Sequence, residues 1–354
     1  LDMSVKENCF KMAEGVDGVI NMACNMGGMG FIENNKALCM LSVLVNTHML
    51  MACKEYKVKK YFFSSSACAY NKDLQNDTAI NGLKESDAYP ANPEDGYGWE
   101  KLFSERMCRH FLEDYGLDVK VARYHNIFGP NGTYDGGREK APAALCRKII
   151  NSIINNSNSI DVWGDGKQTR SFLYIDDCVQ GTKAVFNKNY QEPLNIGSDE
   201  QVSINQMIAM IEEIADYKVK KNYQLDKPLG VRGRSSDNSL AIEKLGWKPS
   251  YTLKQGLEKT YKWIYEQMTT GKSTLQDGFQ EVDICAQVKN VTKYAKTITN
   301  KSDIPLELEK AYSLANSGRK GPVLIDLPMD IQVAELTPEE IAQYDPNGNV
   351  FFYL

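Results

Sequence analysis

The chain carries nine cysteines (Cys9, Cys24, Cys39, Cys53, Cys68, Cys108, Cys146, Cys178 and Cys285) yet has no C-x-x-C pair. An odd number of thiols at scattered spacing excludes both a disulfide framework and a zinc site, and it points to a reducing compartment, the cytosol. No apolar run reads as long enough to span a bilayer. The opening LDMSVKENCF has neither an initiator Met nor the pattern of a signal peptide. A basic excess is also missing. With 41 Lys and Arg against 46 Asp and Glu, the net charge is −5, which removes the electrostatic footprint of a nucleic-acid binder. There is no internal repeat and no low-complexity stretch. The last absence is local: Gly28-x-Gly30 looks like the start of a dinucleotide fingerprint, but Glu33 stands where the third glycine belongs.

What is present suits a globular α/β protein. The 354 residues are enough for two domains, and 42% hydrophobic with 25% charged residues is ordinary for a soluble fold. Val19 to Ala23, Tyr61 to Ser65 and Leu117 to Tyr124 read as short buried strands. Between them, Glu33 to Tyr56 and Tyr97 to Tyr115 have helical periodicity, the second ending at a Gly116 cap. This βαβα rhythm predicts a parallel sheet with helices on both faces. Beyond Gly129 the pattern loosens, but Ser203-x-x-Gln206 and Thr252-x-x-Gln255 mark two helix starts as capping boxes. Thr269 to Ser273 is a polar break. After it, Glu309 to Ser317 reads as a helix capped by Gly318, and Pro322 to Leu327 as a buried strand.

Tyr97 and Lys101 are four residues apart and share a helix face. An ammonium beside a phenol lowers the phenol pKa, and such a Tyr can take the proton of a sugar hydroxyl while the Lys holds a ribose. The plain alternative is an amphipathic helix with two solvated polar groups. Ser64-Ser65-Ser66-Ala67-Cys68 closes a strand, and in open α/β sheets ligands bind at the carboxyl ends of strands. Cys68 by itself is equally a small buried apolar residue, and Lys140 a surface charge.

The strand-SSSAC-x-Y, Y-G-W-E-K and R-Y-H-N-I-F-G-P segments, in that order, resemble the extended short-chain dehydrogenase/reductases of the NAD-dependent epimerase/dehydratase family. Within it, MGGMGF, LKESDAYPANPEDGYGWEK, RYHNIFGPNGTYDGGREKAPAA, WGDGKQTRSF, NIGSDE and GVRGRSSDN are similar to the GDP-mannose 3,5-epimerases, almost unbroken to Met268. The resemblance implies a truncated Rossmann-type parallel sheet with a smaller α/β substrate domain, mainly within 129–268, and bound NAD as cofactor. It implies Ser66, Cys68, Tyr97, Lys101 and Lys140 as catalytic residues, Cys68 and Lys140 being the acid–base pair. Ser65, Tyr97 and Lys101 would hold the cofactor. Gly28 and Gly30, where backbone approaches the sugar, Ser66, Ala67, Cys68, Asn126, Glu139, Lys140 and Ala141 would hold GDP-mannose. Lys148, Gln168, Arg170, Arg232 and Arg234 would hold its GDP part, each having a salt-bridged surface as the alternative. A thiolate at Cys68 and a lowered pKa at Lys140 are expected. Relatives of this kind are commonly homodimers. A 4-epimerase, a 4,6-dehydratase and a non-catalytic nucleotide-sugar binder remain open alternatives, although Ala67-Cys68 favours a thiol base over the acidic residues of dehydratases.

Two departures follow from the same resemblance. The family's first strand, Gly-rich turn and helix, roughly sixty to eighty residues, are absent from this sequence, so impaired NAD binding and an exposed sheet edge are expected. Residues 274–354 form a separate segment. Thr274 to Val333 resembles part of the pyrimidine-binding domain of thiamine-diphosphate enzymes of the acetolactate synthase type, without its cofactor-activating Glu, so thiamine diphosphate is not expected. A fusion or a join of two fragments accounts for that pattern.

Overall fold

The computed structural model describes residues 1–228, 230–269, 284–289, 291–328 and 331. The chain divides into two compact units, Leu1–Ser273 and Thr274–Leu354.

The larger unit opens with α1 (Lys6–Ala13) and β1 (Gly18–Asn21), followed by α2 (Met29–Asn34), α3 (Lys36–Met40), α4 (Val43–Glu55) and β2 (Lys60–Ser66). The single helix expected over Glu33 to Tyr56 is therefore three pieces. Asn34 and Asn35 turn their side-chain amides back onto the carbonyls of Gly30 and Phe31, at 2.6 and 2.9 Å. Such local bonds compete with the helix ladder. Contrary to the sequence reading, Lys36–Glu55 is long and apolar enough to cross a bilayer; Ser42, Asn46 and His48 hide this along the sequence. In the fold that stretch is split between α3 and α4, and one side of it turns inward, burying Met49, Leu50, Ala52 and Cys53.

Next come α5 (Asp95–Tyr115), which ends on a left-handed Gly116 (φ 68°), and β3 (Asp118–Tyr124). The chain continues through β4 (Ile127–Phe128), α6 (Ala141–Ile154), β5 (Ser159–Trp163), β6 (Thr169–Ser171), β7 (Leu173–Tyr174), α7 (Ile175–Asn187) and β8 (Leu194–Ile196). β8 completes a parallel sheet of order β1-β2-β3-β8. The period of two along β2 sends Tyr61 and Phe63 into a core with Cys9, Leu50 and Cys108, and Phe62 into another with Leu194 and Trp247. β1 forms one edge, with Ile20 half exposed.

The remaining elements of this unit are β9 (Gln201–Ser203), α8 (Ile204–Ala215), β10 (Lys220–Gln224), β11 (Gly233–Arg234), α9 (Ser239–Leu245) and α10 (Leu253–Thr269). β10 pairs with β5, and β6 lies between β11 and β9. Both capping boxes form: Ser203 with Gln206 at α8, and Thr252 with Gln255 at α10. α6, α8 and α10 bury Ile149, Ile150, Met207, Ile208, Leu257 and Ile264 in a core of their own.

In the smaller unit, α11 (Ile284–Val288) precedes the parallel pair β12 (Tyr294–Thr297) and β13 (Val323–Asp326), with α12 (Ile304–Asn316) between them. α12 starts five residues before the expected Glu309, with Pro305 in its first turn, and Gly318 beyond it has φ 52°. Most of the polar break and the Gly278 to Ile284 segment lie outside the described residues.

Candidate functional site

β2 runs out at Ser66, and the chain turns through a 3₁₀ segment, Ala67–Ala69. The Cys68 amide donates to Ser66 Oγ at 3.2 Å, which fixes the turn. The Cys68 carbonyl accepts from the Glu94 amide at 3.0 Å. One turn into α5, a Cβ on Gly98 would stand 2.3 Å from that carbonyl oxygen, so only glycine lets the helix dock so closely. The docking carries Tyr97 and Lys101 to the carboxyl end of the sheet.

Both side chains are buried. Lys101 Nζ lies 4.7 Å from the Phe63 ring centre, 5.5 Å from that of Tyr97 and 3.5 Å from Glu100 Oε2, with no hydrogen-bond acceptor among the described residues. The Tyr97 hydroxyl meets the Met26 sulfur at 3.8 Å. The expected lowering of the phenol pKa is not found. Burial pushes it well up, the neighbouring Cys24, Cys68 and Glu100 add to that, and only Ser66 opposes them. Burial accounts for the difference, and Glu100, 3.5 Å from the Lys101 ammonium, adds to it.

Lys140 comes from a different element. It is the N-cap of α6, whose first turn contains Pro142. Its amine is held below the ordinary value by burial. The Cys68 thiol is held above its ordinary value, first by burial and then by Glu94, with Arg234 opposing. The thiolate expected there is therefore replaced by a thiol: the sequence reading counted the nearby cations and not the cost of desolvating a charge. The two shifts run in opposite directions.

A cavity of about 410 Å³ joins these groups. Of the expected residues, Gly28, Gly30, Ser66, Ala67, Cys68, Tyr97, Asn126, Glu139, Lys140, Ala141, Lys148, Gln168, Arg170 and Arg234 line it. Gly28 and Gly30 are also required by the protein's own packing: a Cβ on Gly28 would stand 2.5 Å from the Glu139 carbonyl oxygen, and one on Gly30 would touch the Trp163 ring at 3.0 Å. Asn126 holds a left-handed φ of 46° and donates to Ser171 O at 3.0 Å. Glu139 is tied to Arg147, and Lys148 to the Asp161 carbonyl. Gln168 donates to Trp163 O at 3.0 Å and keeps a buried Oε1 without a partner among the described residues. Arg170 donates to the Thr169 and Val231 carbonyls, and burial with Arg234 nearby pushes it down to about 10.

Three expected residues are not on the cavity wall. Ser65 donates its hydroxyl to Glu105, which is locked to buried Arg123. It faces away because successive strand residues alternate. Lys101 lies beneath Tyr97. Arg232 is clamped on Asp165 by two bonds of 3.1 and 3.2 Å. Two features of the site were missed by sequence reasoning. One is Trp163 on the cavity wall, which opens the WGDGKQTRSF segment. The other is Glu94, just ahead of α5 and behind the wall, whose carboxylate grips the lining residue Arg234 at 2.6 Å. A carboxylate directly after Pro93 and three residues before the Tyr was the available signal.

Comparison with known proteins gives a consistent picture. The model of the NAD dependent epimerase/dehydratase family matches residues 1–197. GDP-mannose 3,5-epimerase of Arabidopsis thaliana is 47% identical over 278 residues, covering 78% of this chain and 72% of that protein. Among solved structures, UDP-glucuronic acid 4-epimerase of Bacillus cereus in complex with UDP-glucuronic acid and NAD is similar with a TM-score of 0.59 and 26% identity, over 76% of this chain and 79% of that one. UDP-glucose 4-epimerase of Thermotoga maritima with UDP-glucose shares the fold with a TM-score of 0.68 and 24% identity, over 76% and 84% of the two chains.

Proposed function

Since the chain belongs to the NAD-dependent epimerase/dehydratase family, we propose that its cavity takes GDP-mannose and inverts C3 and C5, giving GDP-L-galactose by isomerase chemistry. What carries this reading is convergence: Ser66, Cys68, Tyr97 and Lys140, from the end of β2, the turn after it, α5 and the start of α6, meet at one cavity.

NAD fits the residues present at one end. A buried ammonium with unspent donors, Lys101 Nζ, beside a buried phenol suits the hydroxyls of a ribose, so Lys101 and Tyr97 would hold that part of it. When bound, NAD supplies reversible removal of hydride at C4. The rest falls to side chains. Tyr97 takes the C4 hydroxyl proton, and Ser66 hydrogen-bonds the same oxygen. With C4 a carbonyl, the hydrogens on C3 and C5 become acidic. One member of the Cys68–Lys140 pair removes such a proton, and the other returns one from the opposite face, which inverts the carbon. Between them the pair needs to hold only one proton: whichever group has it is the acid, and the other is the base. The guanidinium groups of Arg170 and Arg234 and the ammonium of Lys148 give the wall a positive character that suits a diphosphate. All nine cysteines are free, which supports a cytosolic location, and a homodimer is proposed from the resemblance alone.

The test is isotopic. With NAD⁺ and GDP-mannose in D₂O, deuterium is expected at C3 and C5 by NMR, and its incorporation is expected to vanish in Cys68→Ser. Measurable GDP-mannose binding with no exchange at either carbon would sink the epimerase reading for this chain, and inversion at C4 alone would replace it with a 4-epimerase.

A further inference from the structure

Arg234 is buried and divides its guanidinium among three partners. Nε donates to Gln75 Oε1 at 2.7 Å, Nη2 to Glu94 Oε2 at 2.6 Å, and Nη1 to Cys68 Sγ at 3.5 Å. Glu94 is also bound to Cys68 through the backbone, its amide donating to the Cys68 carbonyl. Its second carboxylate oxygen, Oε1, is buried and has no hydrogen-bond partner among the described residues. A buried carboxylate oxygen left unsatisfied is costly, and a purely structural ion pair would gain by satisfying it. The shared guanidinium and the backbone hydrogen bond tie Glu94 to Cys68.

We propose that Glu94 is a positioning residue of the acid–base pair: by neutralising Arg234 it makes the resting site present Cys68 as a thiol, a proton donor, rather than as a thiolate. The charged and titratable groups facing Cys68 are Glu94 and Tyr97 from α5, Arg234 from β11, Arg170 from β6, Lys140 from the start of α6 and Cys39 from α3. Of these, only Glu94 is an anion at neutral pH. Two guanidinium groups and an ammonium would otherwise draw the proton off the sulfur. The carboxylate cancels the nearest of these charges, and the thiol's raised proton affinity follows from burial together with Glu94.

The proposal rests on the reading of Cys68 as one half of the acid–base pair, but its test needs neither substrate nor NAD. Alkylation of the free protein by iodoacetamide, followed on the Cys68 peptide by mass spectrometry, gives the pH midpoint of that thiol. Glu94→Gln is expected to lower the midpoint by about 1–3 pH units, the effect of one charge at this range, and to speed alkylation at pH 7 by roughly tenfold or more. Glu94→Asp, which keeps the charge, is expected to hold the original midpoint. An unchanged midpoint in Glu94→Gln overturns the proposal, and so does an equal shift in the Gln and Asp variants. Should Glu94→Gln fail to fold by circular dichroism, Arg234→Gln tests the pair from its other side: the midpoint must rise, and no change or a fall overturns the proposal. A shifted midpoint without C3 or C5 exchange would leave Glu94 in its role while removing the epimerase reading.

Discussion

A phenol one helical turn from a lysine behaves differently in water and under a sheet. In water the ammonium would make Tyr97 a better acid; here burial and the Glu100 carboxylate reverse the sign. Spacing names the residues, and environment sets their proton affinities. The same holds for Cys68 and Lys140, whose shifts run in opposite directions. Below the lower titration of this pair both groups carry protons and there is no base; above the upper titration neither does and there is no acid. Turnover is therefore expected to rise and then fall with pH, its two limbs belonging to the pair rather than to either residue. A profile of kcat from pH 6 to 11 with a single limb would contradict this. At this scale the motif residues were legible in the sequence because their chemistry is carried by residue type. Ser65 was not, because facing inward or outward is decided by strand alternation. Arg232 was not, because its partner Asp165 lies 67 positions away.

Between elements, the decisive joint is the one between the turn after β2 and the first turn of α5. Gly98 permits it, with 2.3 Å between a hypothetical Cβ and the Cys68 carbonyl oxygen. Gly98→Ala must move either the helix or the turn. It is expected to cost about 1–3 kcal/mol by overpacking, read as a lower urea midpoint. It is also expected to depress turnover by more than the loss of folded protein explains, because Tyr97 and Cys68 sit on opposite sides of the joint. Strands, the ends of α5 and both capping boxes were readable from apolar runs, Gly116 and the S/T-x-x-Q spacings. The break-up of the helix after Met29 was not readable, since apolar periodicity runs on through Asn35 while side-chain amides claim the backbone carbonyls.

The whole molecule is two compact units, and every residue lining the cavity belongs to Leu1–Ser273. Calorimetry of the full chain with GDP-mannose at about a hundred times its Kd is expected to raise only the transition of the larger unit. The stabilisation is about 2.7 kcal/mol, or roughly 5–10 °C for a unit of this size. An equal rise in both transitions would mean that the units respond as one. The parallel sheet was legible from the βαβα rhythm, but its order was not. β8 joins β3 through only three residue pairs, Ala122–Leu194 to Tyr124–Ile196, too short a run to stand out in the sequence.

The scattered thiols that argued against disulfides have a practical value of another kind. Cys9, Cys53 and Cys108 sit in the core on one side of the parallel sheet, Cys178 on the other, Cys146 in the helical core around α6, and Cys39 and Cys68 beside the cavity, while Cys285 lies in the smaller unit. Each layer thus carries its own native reporter. Under conditions where closure is fast, thiol labelling rates resolve the free energy of local opening layer by layer, without any introduced label.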